Sequence, residues 1–162
     1  MNYSRSLQIS GAKMIVTFSG VDRAGKNALI EEVNKITGFK YYLIERDPSC
    51  VMFYHTISRR YSPEKIAELN YECVELIQDF KQIDPMLNVF VTIDEETFVE
   101  RAEATGEPPL PGSFSFKDHQ YLMECEFQKA GYKNTLFVNN TMGKSLNSIA
   151  NRVMRRIEEI NE

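Results

Sequence analysis

No apolar run in this chain of 162 residues approaches the roughly 18 that a membrane-spanning helix needs, so no membrane partner is expected. A basic surplus is also missing. With 19 Lys and Arg against 23 Asp and Glu, the formal net charge is −4, which argues against a broad nucleic-acid surface while leaving room for a local positive groove. Cysteines are few, at Cys50, Cys73 and Cys125; they are odd in number, far apart and form no C-x-x-C pair. That pattern supports neither a disulfide framework nor a metal cluster, and reads as reduced structural thiols. His55 and His119 are equally isolated, and both read as non-catalytic. The opening MNYSRSLQISGAK lacks a hydrophobic signal region, so residues 1–13 read as a polar extension and a cytoplasmic location is expected. Internal repeats are absent.

What is present is an ordinary globular composition, 43% hydrophobic and 26% charged, at a length that suits one domain over residues 14–162. The most informative stretch is MIVTFSGVDRAGKNAL, Met14 to Leu29. Ile15 to Phe18 read as a buried strand, and Leu29, Ile30, Val33 and Ile36 recur at helical spacing. Between them, Gly20-Val21-Asp22-Arg23-Ala24-Gly25-Lys26-Asn27, with Ala28 following, fits G-x-x-x-x-G-K-[ST] at every fixed position except the last. Glycines allow successive backbone N–H groups to turn inward around a phosphate, the following helix adds its positive end, and Lys26 is expected to supply a point charge for the outer phosphates of a nucleoside triphosphate. The hydroxyl that ordinarily meets Mg²⁺ is replaced by the amide of Asn27, which weakens or rearranges metal binding.

Along the rest of the chain, a first helix is expected from Lys26 to about Thr37, stopped by Gly38, and a second strand over Phe39 to Ile44. Arg46 and Asp47 follow that strand, where open α/β sheets bind ligands. Cys50 to Tyr61 reads as helix, because too few residues separate it from the second strand for a parallel crossover. Ser62-Pro63 marks the N-terminus of an amphipathic helix running to about Ile83. Further elements are a strand over Leu87 to Ile93, helices over Glu95 to Thr105 and Asp118 to Ala130, a strand over Asn134 to Val138, and a terminal helix carrying Leu146, Ile149, Val153, Ile157 and Ile160. The strand–helix alternation predicts an α/β fold, a parallel sheet flanked by helices. Gly143-Lys144-Ser145 only mimics a phosphate loop, having no glycine five positions earlier.

FSGVDRAGKN resembles the opening of thymidylate kinases, F-[ES]-G-x-D-x-A-G-K-[ST], especially those with an arginine inside the loop, and VTIDEETFVERA resembles their strand ending L-D-V followed by P-E-x-x-x-E-R. The resemblance runs from Met14 to the C-terminus and implies a three-layer P-loop NTPase fold, shortened in the middle. It implies Arg46, in an Arg46-Asp47-Pro48 string like the family's R-E-P, as the clamp for an acceptor phosphate, Asp22 at the acceptor's sugar, and Tyr71 near its base. It places a lid over about 104–117. That stretch has no Lys or Arg from Ala102 to Phe116, so Arg23 is left to neutralise the transferring phosphate. The family's strand ending Asp-Arg-Tyr or Asp-Arg-His is echoed only by Ser58-Arg59-Arg60-Tyr61-Ser62. Either that strand is missing, or VFVTID takes its place with Asp94 as the strand-end carboxylate and a weak metal candidate beside Asn27. Members of the family are commonly dimers, so a homodimer is among the implied partners.

Three activities fit these readings. The first is transfer of phosphoryl from ATP with Mg²⁺ to a (deoxy)nucleoside monophosphate, which needs no general base. The second is a kinase for a hydroxyl, on a deoxynucleoside or on a hydroxymethylated base in DNA as in some bacteriophage relatives, with Asp47 as the base; a viral source would place it in the host cytoplasm. The third is a nucleotide-binding protein without catalysis, motivated by Asn27.

Overall fold

The computed structural model describes residues 14–57, 61–106 and 115–162. The extension 1–13, the Ser58-Arg59-Arg60 string and residues 107–114 of the expected lid lie outside them. Among the described residues four parallel strands, β1 (Ile15–Ser19), β2 (Tyr42–Glu45), β3 (Met86–Thr92) and β4 (Thr135–Asn139), form a sheet in the order β2-β1-β3-β4. Six helices accompany them: α1 (Lys26–Thr37), α2 (Pro48–Ile57), α3 (Pro63–Lys81), α4 (Glu95–Thr105), α5 (Phe116–Ala130) and α6 (Leu146–Asn161). The expected α/β class with a parallel, helix-flanked sheet is what the chain adopts. Among the described residues no helix is long and apolar enough to cross a membrane.

β1 and β3 are buried along almost their whole length, which explains their continuous rather than alternating apolar runs. Phe18, Phe90, Phe127, Leu29 and Met123 are among the largest fully buried side chains and join the central strands to α1 and α5. The terminal helix packs its Ile149, Val153 and Ile157 stripe into the same core.

Most helix limits follow from local chemistry. α1 ends at Gly38, whose φ of 65° is the left-handed conformation that glycine adopts without a Cβ penalty. Ser62, Asp94, Ser115 and Ser145 cap α3, α4, α5 and α6, each accepting a backbone N–H from three residues on. The Ser145 cap gives the Gly143-Lys144-Ser145 string an ordinary structural purpose. β3 and β4 each shift by one residue from expectation, to Met86–Thr92 and Thr135–Asn139, and three helix or strand starts differ for a local reason. β2 begins at Tyr42 rather than Phe39, because Phe39 also turns left-handed, at φ 59°, and donates back to the Asn34 carbonyl to close α1. α5 begins two residues early, at Phe116, because Ser115 rather than a later residue is the cap. α2 begins at Pro48, with Asp47 accepting from the Ser49 N–H at 2.8 Å, so Asp47-Pro48 acts as a cap followed by proline at the first helical position.

The chain passes from β1 to β2 on one side and then to β3 on the other, so its direction of winding reverses at β1. In a parallel sheet this opens a crevice beyond the carboxyl ends of the strands. The 20–25 turn after β1, Arg46-Asp47 after β2, Asp94 after β3 and Asn140 after β4 all lie at that edge.

Asp47 joins the segments there. It is fully buried and accepts from the hydroxyls of Ser19, Ser49 and Tyr132, the last at 2.7 Å, while its own N–H donates to Ser19 Oγ at 3.0 Å. Beside it, burial and the charge of Asp47 push the Cys50 thiol up, and burial followed by the same charge pushes up the Tyr132 phenol. Asp47→Ala strands these donors in a dry interior and is expected to lower stability by on the order of 3 kcal/mol. Urea unfolding measures the loss, and an unchanged midpoint would remove Asp47 from this joining role.

Candidate functional site

The turn after β1 is held in a conformation that its residue types dictate. Gly20 has φ 141°, and a Cβ there would stand 2.3 Å from the Val91 carbonyl oxygen; at Gly25, φ 81°, it would stand 2.4 Å from Asn140 Nδ2. Neither position admits a side chain without moving β3 or Asn140. Arg23 between them is also left-handed, at φ 69°. Arg101 of α4 donates to the Arg23 carbonyl at 2.7 Å and to the Asn140 carbonyl at 3.0 Å. Asn140 Nδ2 donates to the Ala24 carbonyl at 2.9 Å. Two side chains remote in sequence therefore grip the turn's backbone from outside.

Lys26 opens α1 and is 4% exposed, its ammonium donating to the carbonyls of Gly20 at 3.0 Å and Val21 at 2.8 Å. Burial, joined by the charge of Arg46, pulls its pKa below the ordinary lysine range, while Asp22 and Glu45 act against that. Gly25, at the N-cap of α1, supplies no side-chain cap, and the first turn carries no acidic residue. That first turn, through Gly25, Lys26, Asn27 and Ala28, lines a cleft of about 370 Å³ together with Asp22, Arg23 and Glu45, and the opening N–H groups of a helix have no partner within the helix itself. Val21 and Ala24 are buried and anchor the turn to the core.

Arg46 stands at the neighbouring strand end. Its backbone is left-handed at φ 68°, and its N–H donates to the Phe18 carbonyl at 2.8 Å. The guanidinium pairs with Asp22 at 2.7 Å and lies 4.3 Å above the Tyr54 ring, with Glu45 4.0 Å away. Arg23 turns towards α4, its guanidinium 4.7 Å from the centre of the Phe98 ring, which stacks on Phe116.

The expected residues thus divide. Gly20 to Ala28, Arg46 and Asp22 come together around one cleft and its rim. Asp47 lies directly beneath but inside the protein, its carboxylate engaged by hydroxyls and an N–H. Tyr71 is 67% exposed on α3. Asp94 is exposed and holds the Thr97 N–H at 2.9 Å as the α4 cap; hydrogen bonding to the Thr97 hydroxyl first, and then to this N–H, lowers its pKa. No group of three or more His, Cys, Asp or Glu gathers at one place among the described residues. Cys50, Cys73 and Cys125 are free thiols.

Sequence reasoning does not single out Arg101, Asn140, Tyr54 or His119 as residues of the site. Arg101 lies within the VTIDEETFVERA string and is legible there; the other three carry no local signature. His119 is the most unusual. It is 0% exposed, neither ring nitrogen has a hydrogen-bond partner, and it packs against the rings of Phe53 at 5.1 Å and Tyr54 at 5.8 Å.

No protein-family model matches this chain, and no curated protein shows significant similarity to it.

Burial lowers the His119 pKa, with the charge of Asp22 acting in the opposite direction. A folded imidazole with a depressed pKa stays neutral where the unfolded one takes up a proton. Stability is therefore full above the unfolded value of ~6.5 and declines as pH falls below it. We expect His119→Phe to flatten that part of the acid limb, read as urea midpoints between about pH 7.5 and 5; an unaltered limb would place the imidazole in water.

Proposed function

We propose that this chain is a thymidylate kinase-like P-loop kinase that transfers the γ-phosphoryl group of ATP to a (deoxy)nucleoside monophosphate. The observation that carries this reading is the conjunction of an uncapped helix N-terminus, a buried lysine and a rigid glycine turn around one open cleft. Uncapped N–H groups and a desolvated cation are a poor way to end a helix unless an anion completes them.

Lys26, released from the Gly20 and Val21 carbonyls, is within its own reach of an outer phosphate in the cleft. Arg23, on the same rim, spreads positive charge over the transferring group. Arg46 is oriented by Asp22 and by the Tyr54 ring, and offers its fork to the phosphate of the acceptor. Two cations thus stand on the donor side and one on the acceptor side, with a turn that cannot sag between them. For Mg²⁺, which binds through one or two protein oxygens and the substrate's phosphates, the Asn27 amide oxygen and the Glu45 carboxylate line the cleft and fit as hard donors. Held there with the nucleotide, Mg²⁺ would supply charge neutralisation to the phosphates.

The environment of Asp47 favours a phosphate acceptor over a hydroxyl one. A carboxylate that already accepts four hydrogen bonds and has no exposed surface is badly placed to take a proton from a substrate. A monophosphate is ionised beforehand and needs no base.

The deciding measurement is transfer of labelled γ-phosphate from ATP, offered in parallel to deoxynucleoside monophosphates, deoxynucleosides and DNA with or without hydroxymethyluracil. Label is expected on a monophosphate. Lys26→Ala is expected to abolish ATP binding, and Arg46→Ala to raise KM for the monophosphate by at least ~10-fold while leaving ATP affinity within about twofold. Asp47→Asn should weaken the fold yet keep kcat within about threefold per folded molecule. Label on a hydroxyl acceptor, lost in Asp47→Asn, would replace this reading with the hydroxyl kinase.

A further inference from the structure

Within the 20–25 turn, Arg23 is the one residue other than glycine that stands left-handed, at φ 69°. Such a backbone costs free energy in any residue with a side chain, and it persists where its surroundings impose it. Here the imposing element is α4. The Arg101 guanidinium donates to the Arg23 carbonyl at 2.7 Å and, through its other arm, to the Asn140 carbonyl at 3.0 Å. One turn earlier on the same helix, the centre of the Phe98 ring lies 4.7 Å from the Arg23 guanidinium carbon. Residues three apart share a helix face, so α4 holds the main chain and the side chain of Arg23 together.

α4 is itself fixed in place. The Asp94 N–H donates to Thr141 Oγ1 at 3.1 Å, Thr97 Oγ1 accepts the Met142 N–H at 2.9 Å, and Arg101 reaches the Asn140 carbonyl, so successive turns are fastened to the segment after β4. Thr97 and Phe98 are buried, and the Phe98 ring stacks on Phe116 at 4.8 Å. Retention of the turn alone does not call for all this. Gly20 against β3, Gly25 against Asn140, and the Asn140 amide on the Ala24 carbonyl already fix it. A flexible polar side chain would serve for one contact between helix and turn, whereas the planar fork of a guanidinium meets two carbonyls in set directions. What Arg101 adds is the direction of the peptide at Arg23, and with it the path of that side chain along the rim of the cleft.

We propose that Arg101 is a positioning residue for phosphoryl transfer: by holding the Arg23 carbonyl it keeps Arg23 left-handed and so sets the Arg23 guanidinium at the rim of the cleft. This rests on the phosphoryl-transfer reading above and adds to it the residue that orients the cation assigned to the transferring group. Arg101 touches no substrate in this scheme. Its effect falls on rate, because a cation misplaced by about 1 Å stabilises the transition state less, while the turn and Lys26 still bind ATP.

The test is a double-mutant cycle between Arg101→Met and Arg23→Gly in the whole chain, read as kcat and KM for ATP with the deoxynucleoside monophosphate that wild type labels fastest. Glycine is at ease in the left-handed region and carries no guanidinium, so it removes both the need for the grip and what the grip serves. Arg101→Met alone is expected to lower kcat about tenfold or more, with KM for ATP within about threefold. In the Arg23→Gly background the same substitution is expected to change kcat by less than about twofold. An equal loss of kcat in both backgrounds overturns the positioning role, because Arg101 would then act without Arg23. A kcat unchanged by Arg101→Met overturns it too, and either result leaves the kinase reading standing. Absence of label on every monophosphate with wild type overturns both. Rates are taken per folded molecule, with thermal melting as the check. Should Arg101→Met not fold, Arg101→Lys takes its place in the cycle, since lysine keeps the charge without the fork.

Discussion

The edge of the sheet where the cleft opens depends on one buried carboxylate. Asp47 collects hydrogen bonds from the end of β1 through Ser19, from the first turn of α2 through Ser49, and from the segment between α5 and β4 through Tyr132. Each partner is itself inside the protein, so the network is satisfied only when all of these segments are in register. The position of Arg46 follows from it. Bound on one side to the Phe18 carbonyl and on the other to a residue that cannot shift, Arg46 is held left-handed at the rim, and its guanidinium is delivered onto Asp22 and Tyr54. Strain of this kind persists only where surrounding contacts determine it.

A second constraint preserves the cleft. The 20–25 turn is pressed against β3 at Gly20 and against Asn140 at Gly25, and Arg101 grips it from α4 through carbonyl oxygens. These contacts fix the turn's carbonyl groups and hence its backbone. Preorganisation of that sort lets an anion bind without ordering the backbone at the moment of binding. In the proposed reaction it also separates roles cleanly: the turn and Lys26 hold the donor, Arg46 the acceptor, and Asp47 the scaffold beneath both.

Much of this is legible in the amino-acid sequence. The strand, turn and helix from Met14 to Thr37 can be read almost to the residue, because glycine, β-branched and apolar positions there have single local explanations. The Ser62-Pro63 cap and the Gly38, Gly106 and Gly131 helix ends are equally plain. Asp47 is recognisable as a residue of the site's neighbourhood, yet its role is not. Position after a strand suggests a solvent-facing carboxylate, whereas its hydroxyl partners at residues 19 and 132 are distant in sequence and leave no local mark. His119 escapes notice for the same reason. A lone histidine on an apolar helix face looks like a core residue, and only the surroundings show that neither nitrogen is met.

What the sequence by itself determined is therefore the set of elements, the α/β class and the glycine turn after β1, since each is marked by residue patterns within a few positions along the chain. The tertiary structure alone decided that β2 lies directly beside β1 with β3 on the other side, that Arg101 and Asn140 clamp the turn, and that Arg46, Tyr54 and His119 pack in succession. These are pairings between segments tens of residues apart. Whether a buried polar atom is satisfied depends on which of those segments meet, and no periodicity or motif along a single chain encodes that.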